Sequence, residues 1–181
     1  IITGNNAKVL KYRPRKGLEP IFTGKDIAKY SLKAPSRYIK FDRADFQQCA
    51  KEEFYRAKEK LVYKFVSGRL CFTYDDKQRL FLNSANILIP DIDGMSTKTV
   101  LAFLNSSLFN FLYTKRFNDL KILKGNLCTL PFPKIDDKTD KTLGALVDRA
   151  LSGDVSAEEE INELVFSLYE LNQEEIELIT E

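Results

Sequence analysis

The sequence contains neither histidine nor tryptophan in its 181 residues. The absence of histidine excludes Ser-His and Cys-His nucleophile pairs, an imidazole general base and a His-ligated zinc site. The three cysteines, Cys49, Cys71 and Cys128, form no CxxC pair, so neither a metal cluster nor a disulfide framework is indicated. We therefore expect reduced thiols, as in an intracellular protein, and no metal site.

Long apolar runs are missing as well. The sequence has no stretch of about 18 apolar residues and no signal segment, so we expect a soluble protein with no membrane contact. The opening residues Ile1, Ile2 and Thr3 are typical of the middle of a segment, and we expect the chain to be a piece of a longer protein. Its length and its 44% hydrophobic content predict a globular domain with a core of its own.

Charge is divided unequally along the chain. Residues 1–141 carry 27 Lys and Arg against 15 Asp and Glu, whereas residues 142–181 carry one Arg against 11 acidic residues. This asymmetry predicts a body that faces a polyanion and an acidic tail that does not. The alternative is a solvated surface without a partner.

The first half of the chain is predicted to be rich in strands. Apolar alternation and β-branched or aromatic residues favour strands, and Gly, Asn and Asp clusters favour the turns between them. The predicted elements are a hairpin over 1–12, strands at 37–41, 61–66 and 86–90, and a hairpin whose loop is 75–78.

Helical spacing of apolar residues appears in other segments. It predicts a helix within 44–58 and a long helix that starts at Ser96 or Thr97 and continues past Leu112. Asp26 is predicted to cap a short helical turn that ends at Tyr30.

The predicted fold class is α+β: a mixed, largely antiparallel β-sheet, one long helix and a helical C-terminal tail. We predict an α+β domain over residues 1–133 and a polar linker at 134–141. Residues 142–181 are predicted to form an acidic helical tail that packs on the domain.

Catalytic motifs are scarce. The sequence has no GxGxxG, no phosphate-binding P-loop, and no Asn/Asp-Pro-Pro-aromatic motif of adenine methyltransferases. Asp91, Asp119 and Lys121 can be arranged as the acid-plus-lysine Mg²⁺ site of a nuclease, but their spacing is long. A loop acid and a surface Asp-Lys pair explain the same residues.

Cations with interleaved aromatics provide the positive signal for function. Loops that carry Lys and Arg can converge on a phosphate-facing cleft, and tyrosines can stack on bases, although any single Tyr is more typical of a half-buried core position. The predicted DNA-contacting residues are Arg13, Arg15, Lys16, Lys25, Lys29, Tyr30, Lys64, Arg69, Lys115, Arg116 and Lys121.

Six segments, in order, resemble the sequence pattern of one protein family. They are residues 1–6 (IITGNN), 20–30 (PIFTGKDIAKY), 60–65 (KLVYKF), 101–111 (LAFLNSSLFNF), 130–133 (LPFP) and 160–172 (EINELVFSLYELN). This pattern is similar to the TaqI-like C-terminal specificity domain of restriction-modification DNA methyltransferases. Thr23 and Lys64 each stand where the family more often has Arg.

The resemblance implies a division of labour. A preceding domain, outside this sequence, would bind S-adenosylmethionine and methylate adenine N6 after base flipping. This chain would hold no cofactor and would read double-stranded DNA for that N-terminal methyltransferase domain, in a bacterial or archaeal cytoplasm. The resemblance leaves open whether the parent enzyme is also fused to an endonuclease.

Two functions from other classes stay open at this point. One is an Mg²⁺-dependent nuclease fragment built on Asp91, Asp119 and Lys121. The other is a protein-interaction adaptor that uses the acidic tail.

Overall fold

A computed structural model describes residues 1–117 and 119–180. Its strands are short, and they are β1 (Glu19–Phe22), β2 (Ile27–Ala28), β3 (Ser31–Leu32), β4 (Tyr38–Ile39), β5 (Lys60–Lys64), β6 (Phe72–Asp75), β7 (Leu80–Phe81) and β8 (Ala85–Leu88). Its helices are α1 (Asn6–Val9), α2 (Glu52–Tyr55), α3 (Thr97–Asn105), α4 (Ser107–Arg116), α5 (Lys124–Leu127), α6 (Asp137–Leu151), α7 (Ser156–Leu168) and α8 (Gln173–Thr180). The α+β prediction is confirmed.

The strands form two small sheets and a hairpin. In one sheet β5 lies between β6 and β8, and both pairings are antiparallel. In the other, β1 pairs antiparallel with β4 and parallel with β7. Strands β2 and β3 form the hairpin. Strand β5, predicted within 61–66, is buried along most of its length because sheet neighbours lie on both edges and helices cover it.

The main core joins the sheet of β5 to the helices. Leu61 and Phe72 share it with the apolar face of α3. Helices α6 and α7 add Val147 and Val165 to the same cluster. The C-terminal helices therefore pack directly on the β-sheet domain through one continuous hydrophobic core.

The predicted long helix is divided into α3 and α4. Helix α3 begins at Thr97, as predicted, and Ser96 caps it by accepting a hydrogen bond from the Thr99 N–H at 3.3 Å. Ser106 is extended, with ψ of 155°, and its hydroxyl accepts from the Phe109 N–H at 3.2 Å. A serine that caps a new helix ends the preceding one, because its backbone leaves the helical region.

One prediction near the N-terminus is wrong, and another is met by a single helical turn only. The hairpin over 1–12 is replaced by α1, a single turn capped by Asn5, and Ile2 pairs with Gln48. The helix within 44–58 is reduced to a 3₁₀ turn at Arg43–Asp45 and to α2. Its apolar residues, such as Phe46, instead pack in a second hydrophobic cluster, so tertiary packing overrides the helical spacing.

The hairpin predicted around 75–78 is also wrong, because β6 and β7 belong to different sheets. The Asp75 carboxylate is turned inward and accepts hydrogen bonds from the N–H groups of Lys77 (3.2 Å) and Arg79 (3.0 Å). This closes the loop on Asp75 and directs Leu80 to pair with Ile21 of β1.

The helical turn predicted from Asp26 to Tyr30 is a 3₁₀ turn, Gly24–Asp26, followed by the β2–β3 hairpin. The Asp26 carboxylate accepts hydrogen bonds from the Thr23 N–H (2.7 Å) and hydroxyl (2.8 Å). Arg37 donates to the same oxygen at 3.2 Å. Asp26 thus stabilises the 3₁₀ turn that it ends, and it does not cap a following helix.

Helix α6 begins at Asp137, within the segment that the sequence predicts as a linker. Asp136 caps it by accepting from the Thr139 N–H at 2.8 Å. Asp140 accepts a hydrogen bond from the Ser96 N–H at 2.8 Å, which ties the first turns of α6 to the start of α3. Among the described residues, no helix is long and apolar enough to cross a membrane.

Candidate nucleic-acid interface

Beyond β5, residues 65–67 pair with residues 120–122 through a single antiparallel bridge, and we call this pairing the ribbon. The Ser67 N–H donates to the Leu120 carbonyl at 2.9 Å, and the Ile122 N–H donates to the Phe65 carbonyl at 2.8 Å. Lys64 immediately precedes the ribbon. The pairing therefore brings Lys64 close to Lys121, although the two are far apart in sequence.

Ser84 attaches the 3₁₀ turn to this end of β5. Its hydroxyl accepts a hydrogen bond from the Gly24 N–H at 3.0 Å, and its carbonyl accepts from the Phe65 N–H at 3.1 Å. A Cβ on Gly24 would collide with the Ser84 backbone, so only glycine permits this approach. Lys25, the next residue, is thereby held exposed beside the ribbon.

Arg69 lies in the turn that connects β5 to β6. The Ser67 hydroxyl accepts from the Arg69 N–H at 3.3 Å and donates to the Arg69 carbonyl at 2.6 Å. Leu70, the next residue, donates its N–H to the Asn110 side chain of α4 at 3.1 Å. These bonds fix the backbone of the turn and leave the Arg69 side chain exposed.

We call Lys25, Lys64, Arg69 and Lys121 the cationic end. None of the four forms an ion pair with a described acidic residue. The cations at the opposite end of β5 differ, because Lys60 and Arg79 both pair with Asp75. Unpaired cations on several loops that meet at one end provide an attractive surface for a polyanion.

Lys29 and Tyr30 lie next to this end but have structural contacts of their own. The Lys29 ammonium donates to the Asn105 carbonyl at 2.7 Å, at the C-terminal end of α3 where a cation suits the helix dipole. Tyr30 is only 3% exposed, so its ring belongs to the core and is not presented for base stacking. Burial raises the pKa of Tyr30, and Glu158 on α7 adds to the rise.

The remaining predicted contacts occupy two other places. Lys115 and Arg116 are exposed at the C-terminal end of α4, where Arg116 donates to the Thr129 carbonyl at 3.2 Å. Arg13, Arg15 and Lys16 are exposed on the loop before β1. That loop precedes β1, and the 3₁₀ turn that carries Lys25 follows β1. The loop and Lys25 are therefore separated by the length of a four-residue strand, about 13 Å.

A family model described as the TaqI-like C-terminal specificity domain matches residues 19–132. The chain belongs to this family. The match contains the cationic end, the ribbon, α3 and α4, and it excludes the loop with Arg13, Arg15 and Lys16.

The specificity domain is also similar to 25 chains of known structure. One is the Type IIL restriction-modification enzyme MmeI in complex with DNA, with a TM-score of 0.55 and 14% sequence identity. The superposition covers 87% of this chain and 29% of the MmeI chain, so the fold is shared with a small part of a larger enzyme. No curated protein sequence matches the chain. The family match thus identifies a specificity domain, and the superposition shows that its fold also occurs within a larger enzyme.

Asn105 is an organising residue of the specificity domain that sequence reasoning missed. Its buried side chain accepts from the Phe72 N–H at 2.9 Å and donates to the Phe72 carbonyl at 3.0 Å. It thus joins the end of α3 to β6 as a further strand would. The sequence signal for this role is an Asn that interrupts the apolar stripe of a helix directly before the capping Ser106.

The nuclease arrangement gains no support from the structure. Among residues 1–117 and 119–180, no group of three or more acidic or Cys side chains is placed to hold a metal ion. Asp91 and Asp119 are both exposed, and the Lys121 ammonium lies over the Phe65 ring, 5.8 Å from its centroid.

Proposed function

We propose that this specificity domain binds double-stranded DNA through the cationic end and reads the target sequence of a restriction-modification enzyme. The observation that carries the proposal is the convergence of Lys25, Lys64, Arg69 and Lys121, all without acidic partners among the described residues. Phosphate contacts from these side chains would position the duplex, and the neighbouring loops would contact base edges.

We further propose that the parent enzyme is an adenine-N6 methyltransferase whose catalytic domain precedes this chain and binds S-adenosylmethionine. The support is the resemblance of the sequence segments to specificity domains of that class, together with the lack of a catalytic motif in this chain. The setting proposed is the cytoplasm of a bacterium or an archaeon. In this arrangement the specificity domain forms one wall of the DNA cleft and performs no bond chemistry.

The first prediction concerns duplex binding by the chain itself. A plot of log K against log salt concentration should have a slope steeper than about −3, since each phosphate contact contributes about −0.9. Fluorescence anisotropy with a labelled random duplex measures this slope. Selection from a library of randomised duplexes should then enrich one sequence motif.

A folded chain that shows no duplex binding at low salt would contradict the proposal. Binding without any enrichment of sequence would leave a DNA-binding domain that does not determine specificity. Circular dichroism on the same samples establishes that the chain is folded.

The second prediction concerns the parent enzyme. With S-adenosylmethionine, it should place N6-methyladenine within the motif that the isolated chain selects, because the specificity domain determines where the catalytic domain acts. Mass spectrometry of digested DNA identifies the modified base. Methylation of cytosine instead of adenine would refute the proposed parent class and would leave the DNA-reading function intact.

A further inference from the structure

Arg69 differs from the other three residues of the cationic end in the shape of its donor group. Lys25, Lys64 and Lys121 each end in a compact ammonium group. The guanidinium of Arg69 is planar, carries five N–H donors in a fixed arrangement and accepts no hydrogen bond. It can therefore donate two parallel hydrogen bonds to a pair of adjacent acceptors, whereas an ammonium group acts as a point charge.

The Arg69 guanidinium is not engaged by the part of the domain that the structure describes. The hydrogen bonds of Arg69 with described residues are made by its backbone, and its side chain forms no ion pair with them. Arg37, Arg56 and Arg79 differ, because each donates to a carboxylate of the domain. The donors of Arg69 are therefore available to a ligand.

The backbone around Arg69 is fixed before any ligand binds. The Ser67 hydroxyl bonds to both the N–H and the carbonyl of Arg69, and the Leu70 N–H donates to the Asn110 side chain. A Cβ built on Gly68 would meet nothing within 4 Å, so the surface of the turn beside Arg69 is open. A ligand can approach this turn closely, and little free energy is lost in ordering the turn on binding.

The acceptors on the base edges of DNA decide which base suits such a group. In the major groove guanine presents two adjacent acceptors, O6 and N7, whereas adenine presents N7 beside an amino donor. Thymine presents a single acceptor and cytosine a donor. In the minor groove the group that distinguishes guanine is a donor, which a guanidinium cannot accept. A guanidinium therefore selects guanine, and it does so in the major groove.

We propose that Arg69 contacts a guanine in the major groove and makes the domain specific for a G·C pair at one position of its target. This inference rests on the proposed DNA-reading function and adds to it a specificity-determining residue and the base that it recognises. Arg69 lies in the turn between the paired strands β5 and β6, and the major groove, about 12 Å wide, admits a two-stranded unit of this kind. The charge of Arg69 still contributes to the neutralisation of the phosphates.

The test uses the duplex selected from the randomised library, with each guanine replaced in turn. Exchanging the recognised G·C pair for A·T should weaken wild-type binding between about 5-fold and about 140-fold, which is the effect of one bidentate contact. 7-Deazaguanine, which lacks the N7 acceptor, should weaken binding about fivefold at that position. Inosine, which lacks only the amino group in the minor groove, should bind as well as guanine. Fluorescence anisotropy measures each affinity.

The variant Arg69→Ala should bind the G·C and A·T duplexes equally and should be insensitive to 7-deazaguanine. Lys25→Ala is the matched control, because it also removes one exposed cation from the cationic end. Both variants should flatten the slope of log K against log salt by about 0.9. Only Lys25→Ala should keep the full preference for the G·C pair.

The inference is overturned if the selected motif contains no G·C pair or if 7-deazaguanine costs nothing at every position. It is also overturned if inosine causes the loss instead, or if Arg69→Ala keeps the wild-type preference. Each of these results leaves salt-dependent duplex binding by the wild-type chain in place. Absence of that binding would instead refute the proposed function, so the two failures are distinguishable.

Discussion

Replacing Lys25, Lys64, Arg69 and Lys121 together by glutamine is expected to abolish tight duplex binding. Each cation that contacts a phosphate contributes about −0.9 to the slope of log K against log salt. Removal of four contacts should therefore flatten that slope by about 3.6. A salt titration followed by fluorescence anisotropy measures both the affinity and the slope.

The control for this variant removes the same charge from the opposite end of β5. The four cations at that end are Lys51, Lys58, Lys77 and Lys98. The first three are exposed, and the Lys98 ammonium lies over the Tyr74 ring. Replacing these four by glutamine should leave the slope nearly unchanged. If both variants lose the same affinity, net charge rather than the cationic end determines binding.

Asp75→Asn is expected to destabilise the fold by about 3–5 kcal/mol, since it leaves a buried cation without its partner. The Lys60 and Asp75 side chains are fully buried, and their charged atoms lie 2.5 Å apart. Lys60 also donates to the Tyr55 carbonyl at 2.8 Å, so it cannot turn toward solvent without losing that bond. Urea denaturation measures the free energy of unfolding.

Asp76→Asn is the matched control. Asp76 pairs with Lys77 at 3.5 Å, and both side chains are largely exposed. Exposed pairs of this kind contribute at most about 1 kcal/mol. Equal destabilisation by the two variants would show that the buried pair adds nothing to stability beyond that of a surface ion pair.

The same pair determines how stability varies with pH. Burial alone would raise the pKa of Asp75, but hydrogen bonds and charges from Lys60 and Arg79 outweigh burial and lower that pKa. A carboxyl whose folded-state pKa is lowered stabilises the fold at pH values above its unfolded-state pKa of about 3.9. This stabilisation is lost as the pH falls through the folded-state pKa. Asp75→Asn should therefore make the acid limb of the stability profile shallower.

Elements with a strong local signal were predictable from the sequence. The β-branched and aromatic run of β5 and the capping Ser96 of α3 both lie where the pattern indicates. The segment around Phe46 was not predictable, because its helical spacing competes with a hydrophobic cluster built from distant residues. The loop at Asp75 likewise depends on Lys60, a partner that local turn chemistry does not reveal.

The candidate site was predictable in its residue types but not in its assembly. Cation patterning indicated Lys25, Lys64, Arg69 and Lys121, yet only the pairing of the ribbon and the contacts of Ser84 bring them to one end. An exposed Tyr and a core Tyr have the same sequence signature, so the burial of Tyr30 required the structure. Whether these side chains bind DNA stays a prediction.

The continuous core limits how this domain can be exchanged between enzymes. Val147 of α6 and Val165 of α7 pack in the same cluster as Leu101 of α3. A chimera that transplants only the family-matched segment, residues 19–132, would carry over the loops of the cationic end but expose the apolar face that α6 and α7 cover. An interchangeable cassette must therefore include α6 and α7, so that a new specificity arrives together with its own scaffold.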